Sequence, residues 1–415
     1  MKVRRMSMSM VGLVIIGLLA AIGLPAAMAQ PQLAAPEGAP YTIGVCASIT
    51  GSASSLGIPQ RNTIAMLEKR LAGGIIGVDG VHHELKFIIY DDESNPDTAA
   101  SVASRLIKEN EVDALICGTA SGNAMAAMPI ATENEVPMIS MASARSIVQD
   151  PQTGETRKWI FKVAQENQHS GEWQAVYLDK LGVKTACDLY ENTGYGQDCL
   201  NQTAKALQAK GIDLVYSDAF ERSDTEFPQM SGVQASGCEV LIVGAVPPGA
   251  SMVTVAARET LPNLPVVQGH GVCNKDYIKL AGEAAEGVVF PCGRLMIADK
   301  LPDDDPQKPV LLEYTAAYTE FTNGEPISTF GGHAWDATYM LVDAMRSLKN
   351  GLTLKERRTL IRDYLENNVK DWPGTGGMFN MSPEDHMGLT YGALVLVKVT
   401  AGEWAYYPEE EWKPE

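Results

Sequence analysis

Residues 116–126, "ICGTASGNAMA", set a serine between an apolar run and an alanine-rich one. A strand ending at Gly118, a short polar turn and then a helix would admit three chemistries. A nucleophile elbow requires G-x-S-x-G, so that the serine crowns a strained strand-to-helix turn. Here Gly118 stands one residue too far from Ser121, and the sequence places none of the six histidines as a partner. A phosphate loop requires G-x-x-x-x-G-K-[ST]; the lysine and the second glycine are missing. The first loop, "TGSASSLG" at 50–57, has the wrong glycines for a dinucleotide fingerprint. The remaining option is a helix N-terminus that accepts a small anion. Ser121 offers its hydroxyl, and Gly122 and Asn123 offer amides that have no carbonyl partner in a helix's first turn. The plainer alternative, that Ser121 or Asn123 only caps the helix, stays open.

The elements around this turn follow one alternation. "YTIGVCASI", "ELKFIIYDD", "VDALICG" and "VPMISM" read as strands. The spacing predicts helices over 58–71, 96–109 and 123–133 between them. After a linker the alternation restarts with "TACDLYEN", "IDLVYSDAF", "CEVLIVGA", "PVVQG" and "GVVFP". Helices are expected over 197–209, 225–236, 250–260 and 274–284. Three more follow, over 308–323, 333–349 and 354–367, and "GALVLVKVTAGEWAYY" reads as a hairpin. Near-continuous apolar strands alternating with helices predict parallel sheets covered on both faces. The fold class is therefore α/β, with two doubly wound parallel-sheet lobes. In such sheets ligands bind outside the carboxyl ends of the strands. Those ends carry 48–57, 91–96, 118–123 and 140–144 in the first lobe, and 191–198, 244–250 and 269–275 in the second.

Residues 1–29 combine Lys2, Arg4 and Arg5 with the apolar "MVGLVIIGLLAAIGL" and an "AMA" site before Gln30. This is the pattern of a cleaved secretory signal peptide and predicts a periplasmic protein. The net charge is −18, and cleavage would deepen it by three. Such acidity disfavours nucleic acid and anionic membranes as partners. None of the seven cysteines lies in a CxxC pattern, so neither metal nor cofactor is expected. Export permits disulfides, and Cys187–Cys199 and Cys273–Cys292 are the locally plausible pairs. Asp91, Asp92 and Glu93 in "DDESNP" are read as helix-capping acids.

Taken together, "GGIIG" at 73–77, "YDDESNP" at 90–96, "CGTASGNAMA" at 117–126, "VPMIS" at 136–140, "YGQD" at 195–198, "LAGEAAEGV" at 280–288 and "SPEDHMGL" at 382–389 resemble the type I periplasmic binding proteins. The resemblance is to their leucine/isoleucine/valine-binding branch, which serves ABC importers, and it runs from Tyr41 to about Tyr407. It implies three chain crossings between the lobes, near Val163–Ala164, Gly287 and Pro373–Gly376. Lobe one would be 41–163 with 288–372, and lobe two 164–287 with 373–415.

The resemblance also implies ligand contacts. The carboxylate-holding serine falls on Ser121, beside Gly122, and the backbone loop on Ala142, Ser143 and Ala144. The first-loop aromatic before glycine falls on Leu56, ahead of Gly57. The tyrosine of the "YG" turn is Tyr195, and the late pocket aromatic falls on Phe330. Three positions depart from the pattern. A family threonine is Ala144, a second-lobe tyrosine is Val246, and the acid that pairs with a ligand ammonium falls on His270 or Gly271. A buried ammonium without a carboxylate is costly, so a carboxylate lacking the α-amino group fits better than a branched-chain amino acid. His169 is a further cleft candidate. His386, Trp335 and Asp336 are read as structural. The expected function is non-enzymatic: a monomeric solute-binding protein that closes on its ligand and delivers it to ABC permease subunits. The rivals are a ligand-sensing module for a receptor or regulator and an exported serine hydrolase.

Overall fold

The computed structural model describes residues 35–412, and the expected signal segment lies outside them. The first sheet contains β1 (Gly38–Ala47), β2 (Ile75–Ile76), β3 (His82–Asp91), β4 (Ala114–Cys117), β5 (Met138–Ser140) and β6 (Ile160–Lys162). Their order is β2-β3-β1-β4-β5-β6, parallel except for the short β2. The second sheet contains β7 (Thr185–Glu191), β8 (Asp213–Phe220), β9 (Val240–Gly244), β10 (Val266–Gln268) and β11 (Val289–Gly293), with a small β12–β13 ribbon (Trp372–Pro373, Met378–Phe379) apart from it. It is completed by β14 (Leu394–Thr400) and β15 (Glu403–Tyr406), in the order β15-β14-β11-β10-β9-β7-β8. Its antiparallel pairings are β11 with β14 and β14 with β15, so β14 alone of these strands is reversed. β4 and β9 are buried along their whole length, as strands covered on both faces must be.

Both sheets place their first strand between the next two parallel strands, β1 between β3 and β4 and β7 between β8 and β9. The strand order therefore reverses at β1/β4 in one lobe and at β7/β9 in the other, which is where doubly wound sheets open a crevice. The helices α1 (Ser54–Arg70), α2 (Pro96–Lys108) and α3 (Ser121–Glu133) serve the first sheet. α4 (Asn167–Lys180), α5 (Gly194–Ala209), α6 (Met230–Ser236), α7 (Gly249–Thr260) and α8 (Lys275–Ala281) serve the second. α9 (Lys308–Phe321), α10 (Thr329–Arg346) and α11 (Leu354–Asn368) return to the first, where α10 lies along α1.

Four expectations change. α4 has no counterpart in the predicted helices, because its buried face is polar and small (Asn167, Ser170, Gly171 and Gln174) and gives no apolar period. Two crossings move. β11 pairs with β10 and β14, so the chain leaves the second sheet after Gly293 rather than near Gly287. Residues 384–388 still hold the first lobe through the Lys162 amide on His386 O, and the chain rejoins the second sheet only at Leu394. The disulfides are Cys46–Cys117, between register partners on β1 and β4, and Cys187–Cys238. Cys199 instead faces a small apolar cluster with Tyr195, and Cys273 and Cys292 are buried free thiols. Finally, Asn95 caps α2, accepting from the amides of Asp97 and Thr98. Asp91 and Asp92 instead lace the first loop to β3, through Ile49, Thr50 and Ser48.

Candidate functional site

Four helices begin at the crevice, and each opens on glycine or small residues: Ser54-Ser55-Leu56-Gly57, Ser121-Gly122, Gly194-Tyr195-Gly196 and Thr329-Phe330-Gly331. The reason is close approach. A Cβ on Gly57 would stand 2.0 Å from Ser48 O, and one on Gly196 2.0 Å from Glu191 O. Each lobe thus presses the helix that follows its first strand, α1 or α5, against the strand end and turns the preceding side chain, Leu56 or Tyr195, toward the other lobe. Leu56, Tyr195, Val246 and Phe330 meet there in one buried apolar cluster drawn from both sheets.

Behind that cluster lies a small cavity of about 20 Å³, lined among others by Leu56, Thr119, Ser121, Ala142, Ser143, Tyr195, Arg222, Val246, His270, Phe330 and His333. Ser121 is the first residue of α3, and no side chain caps the helix, which disposes of the capping alternative. Its Oγ accepts from the Ala144 amide at 3.3 Å, so the hydroxyl hydrogen stays available to a ligand. Ser143 Oγ lies 3.0 Å from His270 Nε2, a hydrogen bond across the cleft. Tyr195 is used within its own lobe: its hydroxyl accepts from the Gly271 amide at 2.9 Å and fixes the turn that carries His270.

The charges are uneven. Arg222 donates to Glu191 at 2.5 and 3.1 Å, and the fully buried Glu191 also accepts from the Val246 amide and Thr193 Oγ1. Burial pushes His270 and His333 down to about 3, with the nearby Lys162 adding to the effect on both. Both imidazoles are therefore neutral donors or acceptors. Among the described residues, no aspartate or glutamate lines this cavity. Nor does any group of three His, Cys, Asp or Glu side chains suit a metal ion. No carboxylate is bonded to the His270 imidazole among the described residues, and burial pushes it down to about 3, below the range of a general base.

A larger cavity, about 570 Å³, opens at the opposite ends of the second-sheet strands. Two of its charged groups are already committed: Arg258 holds the carbonyls of Leu264, Ala284 and Glu286, and Glu239 holds the amides of Lys184 and Thr185.

The model of the periplasmic binding protein family matches residues 40–403. The chain belongs to that family. Within the periplasmic binding proteins it has the type I fold and groups with the branched-chain amino acid branch. It is similar to the leucine-, isoleucine-, valine-, threonine- and alanine-binding protein of Pseudomonas aeruginosa, at 22% identity over 72% of this chain and 78% of the relative. Among solved structures it resembles an extracellular ligand-binding receptor from Rhodopseudomonas palustris HaA2, with 28% identity, a TM-score of 0.81, and 89% and 99% of the two chains covered. A solute-binding protein of an ABC transporter from Rhodopseudomonas palustris BisB5, in complex with 3,4-dihydroxybenzoic acid, shares the fold at 19% identity, a TM-score of 0.70, and 88% and 94% coverage.

In this binding protein the cavity gathers most of the residues picked out from the sequence. Leu56, Ser121, Ala142, Ser143, Tyr195, Val246, His270 and Phe330 line it. Gly57 and Ala144 stand behind the wall, buried, and Gly122 faces the adjoining mouth of the cleft with Asn192 and Gly194. His169 lies elsewhere, in a separate cavity with Glu166 and Glu384. His386 is stacked on Phe161 and bonded to Ile160 O. Asp336 takes the Thr375 and Gly376 amides. Three lining residues have no counterpart in the sequence reading: Arg222, Thr329 and His333. Arg222 stands two residues beyond the end of β8, a strand end like the others, and was findable by the same rule.

Proposed function

We propose that this solute-binding protein captures a small carboxylate without an α-ammonium group, aromatic or aliphatic, and passes it to ABC permease subunits from the periplasm as a monomer. One observation carries the reading. The cleft offers donors (Ser121 and the neutral histidines) and no acidic side chain among its described lining residues. A carboxylate finds partners in such a pocket, whereas an ammonium buried there would have none.

In this reading the lobes are 38–163 with 294–389, and 164–293 with 390–412. Closure brings Tyr195, Val246 and His270 of the second onto Leu56, Ser121, Ser143 and Phe330 of the first. The Ser143–His270 bond and the shared apolar cluster hold the closed form, and a ligand that contacts both lobes shifts the population toward it.

A thermal-shift screen of small carboxylates, their amides and amino acids tests this, since a ligand bound only by the folded state raises the melting temperature by mass action. The largest shift is expected from a carboxylate without an amine. A larger shift from leucine or valine contradicts the ligand class, and turnover of any bound acid ester or amide contradicts the binding role.

A further inference from the structure

Lys162 ends β6 and is fully buried. Its Nζ donates to Ser143 O and Ala164 O, each at 2.9 Å. Among the described residues no carboxylate lies within ion-pairing distance of it; Glu166 is taken by Arg145 at 2.9 Å. An ammonium withdrawn from water without a counter-ion is among the most costly groups a protein can hold. Carbonyl dipoles offset that cost only in part. The position is also pointed: Ser143, whose carbonyl the ammonium holds, lines the cavity and meets His270 through its hydroxyl.

We propose that Lys162 is the counter-charge for the bound solute, a positioning residue behind the cavity wall that makes the cleft select anions and reject an α-ammonium. This rests on the reading that the cleft takes a carboxylate. Burial lowers the lysine to about 8, so it is mainly charged at neutral pH and loses its proton just above. The groups that face it are Glu166 ahead of α4, His169 on α4, Asp198 on α5, Arg145 in the turn after β5, Asp385 in the 382–389 loop, and His270 and His333 across the cavity. Burial holds the three histidines below their ordinary value. The lysine is therefore the group whose proton an arriving anion would retain.

Titration calorimetry of the unmodified protein at about pH 8.5, in two buffers of different ionisation enthalpy, reads this directly. The probes are benzoate, 4-methylpentanoate, their primary amides, and leucine. Binding of either acid is expected to take up roughly half a proton or more, and affinity for the acid to fall about tenfold as pH rises above about 8. The amides are expected to show neither effect. Lys162→Met should remove the uptake and weaken acid binding about tenfold at neutral pH while changing amide binding by less than about threefold. Acid binding without proton uptake overturns the proposal even if the Met variant fails to fold. Equal losses for acid and amide in that variant do the same. If leucine binds more tightly than 4-methylpentanoate and still takes up the proton, the counter-charge stands and the ligand class falls.

Discussion

Two cations stand beside the cleft and are treated in opposite ways. Arg222 reaches the cavity from the second lobe with Glu191 as its partner, and Glu191 is in turn satisfied by the Val246 amide and Thr193. That set is complete before any ligand arrives. Lys162, in the first lobe, holds two carbonyls and, among the described residues, no ion-paired carboxylate. The difference separates a charge that builds the wall from a charge left for something else to neutralise. A buried pair contributes little net stability, but removing one member is severe, because the other is left charged and unsolvated.

The largest effect is expected from that asymmetry. Glu191→Gln should cost about 3–5 kcal/mol in urea unfolding, whereas Lys162→Met should cost far less or nothing; equal losses would erase the distinction. A third buried charge extends the contrast. Asp188 in β7 is fully buried with no hydrogen-bond partner among the described residues, and burial raises it from 3.8 to about 7. The folded chain then holds a proton that the unfolded chain releases, so stability falls as pH rises from about 4 to about 7. Asp188→Asn should flatten that slope, by roughly 3–4 kcal/mol across the window; an unchanged pH–stability curve would show that Asp188 keeps its charge. Smaller again, Tyr195→Phe leaves the Gly271 amide without its acceptor and should cost about 1–3 kcal/mol of stability, with weaker ligand binding through the loosened His270 turn. Smallest, Ser121→Ala leaves the Ala144 amide without its acceptor and should cost about 1 kcal/mol of stability, while weakening carboxylate binding about tenfold, ~1.4 kcal/mol. Undiminished affinity would remove Ser121 from the cradle.

The lobes themselves were legible in the sequence, because strands such as "ALIC" and "VLIVG" are buried on both faces and read as unbroken apolar runs. Helix starts were legible only to within a few residues, and the errors fall where function lies. Ser54–Gly57, Ser121–Gly122 and Gly194–Gly196 look like loop because tight contact with the strand ends demands small residues there. Most of the cleft lining followed from strand ends and family resemblance. Lys162 was not singled out, although a lone charge inside "WIFKV" is its signal; what it touches depends on how β5 and β6 align. The disulfides were missed for the same reason, since Cys46 and Cys117 are neighbours only in the sheet.

The account stands on the claim that the cleft takes a carboxylate and not an ammonium. Leucine and 4-methylpentanoate differ only by that ammonium, so their dissociation constants, measured by calorimetry on the same preparation near pH 7, test the claim directly. The acid is expected to bind at least about tenfold more tightly, about 1.4 kcal/mol. Tighter binding of leucine would contradict it.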